Sequence, residues 1–144
     1  MRTSGILLSA AVAGAAVAAA CTTALAERTS PLPPPPPAGA GLASGQCFRS
    51  HDIKNHTIVD NKTLLLRVNR GDVYRVTMAG NCLAGAIPSD PIVTRQPPGS
   101  QIICKPIDFD ISIARNGFTS RCIVESVAKV SEDQVAALPR RLKP

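Results

Sequence analysis

Tryptophan is absent from this chain of 144 residues, and aromatic residues make up only 3% of it. Phe48, Tyr74, Phe109 and Phe118 are all that is available to fill a core or to stack on bases. That scarcity argues against single-stranded nucleic-acid recognition, which depends on stacking platforms. The sequence has no C-x-x-C pair, which removes the usual zinc-ribbon and thioredoxin-like readings. It also has no G-x-S-x-G, no glycine-rich phosphate loop and no internal repeat. The length allows one small domain and excludes a two-domain enzyme. Hydrophobic residues reach 44%, but many of them belong to an alanine-rich start and add nothing to a core.

That start has the three parts of a secretory signal. Arg2 is the positive region, and Ile6 to Ala20 is apolar apart from Ser9 and Gly14. Ala24-Leu25-Ala26 supplies the small-x-small pattern, so residues 1–26 are expected to be removed by cleavage before Glu27. The apolar run falls short of the roughly 20 residues that span a bilayer. Cys21 follows Ala18-Ala19-Ala20, where a bacterial lipoprotein carries its lipidated cysteine, so anchoring through Cys21 is the alternative. Ala18 stands where such signals usually have Leu, and this favours the cut after Ala26. That cut also leaves an even number of cysteines.

Residues 27–46 read as a linker. Pro31-Leu32-Pro33-Pro34-Pro35-Pro36-Pro37 holds six of the thirteen prolines, and Ala38 to Gly45 contains only Ala, Gly, Leu and Ser. The proline run should be polyproline II at about 3.1 Å per residue. Pro31 to Pro34 matches P-x-x-P, but a spacer is the favoured reading of so biased a segment.

From Cys47 the pattern becomes that of a β domain. Thr63 to Val68 puts Leu64, Leu66 and Val68 on one face, and Asn69-Arg70-Gly71-Asp72 is a turn. Val73 to Met78 alternates, with Tyr74, Val76 and Met78 opposite Arg75 and Thr77, so the two runs predict a hairpin. Ala79 to Gly99 is punctuated by Gly and Pro and reads as an irregular connection. Ile102-Ile103-Cys104 is extended. Ile107, Phe109, Ile111 and Ile113 alternate with Asp108, Asp110 and Ser112 as one half-buried strand. Asn116-Gly117 predicts a tight hairpin turn, with a return strand over Thr119 to Lys129. In that strand Cys122 and Val124 face opposite to Ile123 and Val127. Ser131-Glu132-Asp133-Gln134 fits a capping box that opens a short helix through Leu138, ended by Pro139.

The expectation is a mostly β domain over residues 47–139, a small antiparallel sandwich or partly open barrel, followed by a basic tail over residues 140–144. Its core would draw on Leu64, Leu66, Val68, Tyr74, Val76, Ile107, Phe109, Ile111 and Val124. That core is thin and calls for covalent support.

Cys47, Cys82, Cys104 and Cys122 supply it. Four cysteines in an exported domain of this size form two disulfides, with three possible pairings. The spacing favours Cys82–Cys104, bracketing the Pro/Gly-rich loop, with Cys47–Cys122 tying the start of the domain to its last strand. Closing the loop between Cys82 and Cys104 stabilises by about 3 kcal/mol in the chain-entropy model.

The order of these features carries a resemblance. Cys47-Phe48, Arg70-Gly71-Asp72-Val73-Tyr74-Arg75-Val76 and Gly80-Asn81-Cys82 form one half of it. Ile103-Cys104, Asp108, Arg121-Cys122-Ile123-Val124 and Val130 to Pro139 form the other. This order resembles a family of small exported bacterial proteins, many lipoprotein-like, defined as a domain of unknown function. The resemblance implies an envelope location and the four-cysteine pattern, and it transfers no activity.

Chemistry-bearing residues are few. Asp108 and Asp110, two apart on the expected strand, would share a face and suit a divalent cation or acid–base work. A half-exposed strand carries such acids in any case. His51 and His56 flank Asp52 but lack a third metal ligand that the sequence places beside them. From Glu27 onward the net charge is +5, much of it from Arg140, Arg141 and Lys143. Arg67, Arg70 and Arg75 cluster about the first hairpin turn as a candidate basic binding patch. An envelope protein or an anionic surface component suits such a module. Nucleic acid does not, and a membrane enters only through a lipidated Cys21. No cofactor is implied. The favoured reading is a non-catalytic binding or structural module of the cell envelope. The alternative is a small periplasmic hydrolase or metal-dependent enzyme using Asp108 and Asp110.

Overall fold

A computed structural model of the chain describes residues 32–69, 71–96 and 100–144. The leader, Cys21, the cleavage site and Arg70 lie outside the described residues. The strands are β1 (Phe48–Arg49), β2 (Ile53–Ile58), β3 (Thr63–Val68), β4 (Val73–Met78), β5 (Ile92–Arg95), β6 (Ile102–Ile103), β7 (Asp110–Arg115), β8 (Phe118–Cys122) and β9 (Val124–Val130). One helix, α1 (Glu132–Ala137), follows. All pairings are antiparallel: a four-stranded sheet β2-β3-β4-β9, a three-stranded sheet β5-β7-β8 and a short ribbon β1-β6. The two larger sheets enclose one core and close no barrel, so the sandwich is the form adopted.

Local chemistry accounts for much of this. Asp60 accepts the backbone N–H groups of Lys62 and Thr63 at 2.8 Å each, an Asx-type turn that sends β2 into β3. Asn116 and Gly117 have φ of 50° and 79°, the paired positive values a two-residue hairpin needs between β7 and β8. Ser131 caps α1 by accepting from the Gln134 N–H, and the Gln134 side chain accepts from the Ser131 N–H.

Leu64, Leu66, Val68, Tyr74 and Val76 leave the four-stranded sheet on one face and meet Ile111, Ile113 and Cys122 of the three-stranded sheet. Phe48 and Phe109 fill the end of this layer, with ring centroids 6.0 Å apart in an edge-on arrangement. Ile107 does not join them. It sits on a 3-10 turn over Pro106–Asp108, is 87% exposed, and is the one residue of the expected core that the fold leaves in water. Proline at position 106 fixes φ and removes a donor, so the alternating run becomes a strand only at Asp110.

The return strand also departs from its sequence reading. It breaks at Ile123 and serves both sheets, β8 pairing with β7 and β9 with β4. A bulge opposite Thr77 and Met78 inserts one residue, which shifts the alternation and brings both Val124 and Val127 into the core. Two elements carried no clear sequence signal. β2 is polar at Lys54, Asn55 and His56, as an edge strand can be, and β5 lies inside the proline-punctuated connection.

Both disulfides form, but the pairing is Cys47–Cys104 and Cys82–Cys122, not the one that spacing favours. Phe48 opposes Ile103 in the β1-β6 ribbon, so Cys47 and Cys104 are the next pair along, with Cα atoms 4.7 Å apart. Cys122 enters the core opposite Ile111, beneath the loop that follows β4 and carries Cys82.

The proline-rich segment is no free spacer where it is described. Leu32 is buried in a second apolar cluster on the other face of the four-stranded sheet, with Leu65, Val73, Val130 and Leu138. The Gly39 N–H donates to the Glu125 carbonyl at 2.8 Å, and the Ala40 carbonyl accepts from the Val127 N–H at 3.1 Å. The segment thereby covers the open edge of β9, a position that otherwise invites pairing with another chain. Gly41 permits the close approach that follows, since a Cβ there would stand 2.6 Å from the Cys104 carbonyl oxygen.

Four outcomes check this architecture. Non-reducing proteolytic mapping should recover linked peptides for Cys47–Cys104 and Cys82–Cys122, and replacing Cys82 and Cys122 together with Ala should lower the unfolding free energy by about 4 kcal/mol. In urea titrations Leu32→Ala should cost about 2 kcal/mol, because it empties a buried site. Ile107→Ala should stay within about 0.5 kcal/mol of the parent.

Candidate functional site

A groove of about 860 Å³ runs along the seam where β8 gives way to β9. Its walls come from three places. Residues 32–46, a strap laid along β9, supply Ala38 and Gly39, the 3-10 turn supplies Ile107 beside Lys105, and the seam supplies Arg121, Ile123 and Glu125. Ile107 and Ile123 are both well exposed, and they make this wall apolar in a domain that hides most of its large side chains. The groove exists because the return strand changes sheets here, which leaves the outer edge of β8 unpaired while the strap covers β9.

The two aspartates singled out by the sequence have separate structural tasks. Asp108 belongs to the 3-10 turn, and its carboxylate accepts the backbone N–H groups of Cys104 and Lys105 at 3.2 and 2.8 Å. Asp110 begins β7 and pairs with Arg121 across the hairpin, at 3.2 Å from Nε and 2.9 Å from Nη2. They do not share a strand face, as the uninterrupted strand required. Asp110 lines the groove and Asp108 does not.

The histidines stand elsewhere. His51 Nε2 lies 3.7 Å from Asp52, and His56 Nε2 is 3.1 Å from the Asp90 carbonyl oxygen. Neither lines the groove with Asp110. Among the described residues no three His, Cys, Asp or Glu side chains gather closely enough to hold a metal ion.

Of the expected basic patch, Arg67 and Arg75 are described and they differ in exposure. Arg67 is exposed on β3. Arg75 lies on the same sheet face but is only 7% exposed, because the proline-rich segment and the C-terminal elements cover that face. Its guanidinium donates to the Pro33 carbonyl. Burial holds the guanidinium below its usual range, against a weaker opposing pull from Asp60. Tyr74, raised first by burial and then by the Asp72 carboxylate, donates to the Gln46 carbonyl at 3.0 Å. Both groups hold the N-terminal segment in place.

Similarity to known proteins covers nearly the whole chain, since residues 4–143 match the family of unknown function DUF6491. The chain belongs to that family. No curated protein and no solved structure gives a significant match. The four cysteines among the described residues are all disulfide-bonded, which fits an oxidising compartment. Among the described residues no helix is long and apolar enough to cross a membrane.

The unequal tasks of the two aspartates give a direct test. Asp108→Ala should lower stability by about 1–2 kcal/mol, because two backbone donors lose their acceptor. Asp110→Ala removes an exposed ion pair and should cost under about 1 kcal/mol in the same urea titration.

Proposed function

We propose that this chain is an exported cell-envelope protein that acts by binding rather than by catalysis. The observation that carries the reading is the state of the four domain cysteines, all bonded in pairs that tie down the sheets. Such bonds form and persist in the periplasm or outside the cell. The leader Met1 to Ala26 supplies the export route, with cleavage before Glu27.

The groove along the β8–β9 seam is the contact surface. Its exposed Ile107 and Ile123 give a partner something to desolvate, and Lys105, Arg121 and Glu125 supply a polar rim. That combination suits an envelope protein better than an anionic polymer, which would call for a continuous basic track. The strap then serves as part of the binding face as well as a connection to the leader.

Intact-mass measurement on the protein isolated from its native host tests export and thiol state together. The expected mass starts at Glu27, and the cysteines become alkylatable only after reduction. A chain starting at a lipid-modified Cys21 would make it a membrane-tethered module instead. Cysteines that alkylate without reduction would overturn the proposal.

A further inference from the structure

The Arg75 guanidinium is a buried cation whose charge no carboxylate meets within ion-pair distance among the described residues. One of its terminal nitrogens is taken by the Pro33 carbonyl, while its Nε–H is buried with no partner among the described residues. Thr77 and Ser126, cross-strand neighbours on the same face, also have unpartnered hydroxyls. A hydroxyl turns to find an acceptor, but the Nε–H direction is fixed once the guanidinium plane is fixed. A buried charge left this way is costly unless an anion completes it.

Arg75 forms part of the wall of a cleft of about 200 Å³ between the strap and the start of α1. Gln134 is the other polar side chain lining it; Lys129 borders the cleft from β9 but stands opposite Tyr74 on the other sheet face, and no carboxylate lines the cleft among the described residues. Gln134 has its Oε1 engaged by the Ser131 N–H, so the amide NH2 is left as a donor. The lining therefore offers side-chain donors and positive charge, in a space suited to one small group and not to a polymer.

We propose that this cleft binds a single small oxoanion or carboxylate, received by Arg75 with the Gln134 amide as a further donor. The strap is then more than a cover: Pro33 orients the guanidinium, and Pro34 and Pro36 wall off the anion from bulk water.

The test is a titration of the purified, disulfide-intact protein with sodium phosphate and, separately, sodium acetate, each matched in ionic strength by sodium chloride. The readout is the Arg75 Nε–H resonance in a proton–nitrogen spectrum, assigned by its loss in Arg75→Lys. A saturable shift of that resonance and of the Gln134 side-chain amide, absent with chloride, is expected. Saturation by phosphate alone identifies a tetrahedral oxoanion, and saturation by acetate as well identifies a carboxylate site. Gln134→Glu keeps the capping box while placing a negative charge at the cleft, and it should weaken binding at least about tenfold. A drift no different from chloride, or unchanged affinity in Gln134→Glu, would overturn the proposal.

Discussion

Strands β3 and β4 carry side chains that must leave water on both faces of the four-stranded sheet, and every other layer of the domain answers that demand. Every residue of β4 is buried, and on β3 only Arg67 is exposed. An antiparallel sheet in a small domain more often keeps one face wet. Here one face meets the three-stranded sheet, while Leu32, Leu138 and the partly buried Val135 and Leu142 close the other. The two ends of the domain thus converge on one sheet face, and a segment that looks like a spacer becomes part of the fold.

With only four aromatic side chains, the layer between the sheets is shallow, and the disulfides sit where it would open first. Cys82–Cys122 joins the loop after β4 to the end of β8, bridging the two sheets on the side where the return strand changes partners. Cys47–Cys104 locks a ribbon only two residues long on each strand, which hydrogen bonds alone would hold poorly. The strap meanwhile protects the β9 edge. The outer edge of β8 is also unpaired among the described residues, next to the groove, so an open edge and the exposed apolar wall coincide on the face proposed for binding.

Most carboxylates among the described residues serve the architecture. Asp60 and Asp108 hold turns, and Asp110 and Asp72 hold Arg121 and Lys129 across neighbouring strands. Arg75 differs from the exposed cations, because it is buried and no carboxylate lies within ion-pair distance of it among the described residues. A buried charge without a countercharge is a better guide to function than clusters of charge at the surface.

What the sequence determined by itself were features set within a few residues of chain: the β3–β4 hairpin, the Asn116-Gly117 turn, the Ser131 capping box and the inward faces of β3 and β4. The existence of two disulfides was equally legible, because it follows from cysteine parity and a thin core. Their pairing was not, since it depends on Phe48 meeting Ile103 across more than fifty residues, a two-residue ribbon with no periodicity to betray it. The bulge opposite Met78 likewise decided where Val127 points, and one inserted residue reverses an alternation that the sequence alone extends unbroken. Asp108 and Asp110 were separated by Pro106, which kept the first on a turn and released the second to a strand. Arg75 became a buried cation only because tertiary packing laid the proline segment over its sheet face, and composition cannot announce which surface a polyproline run will cover.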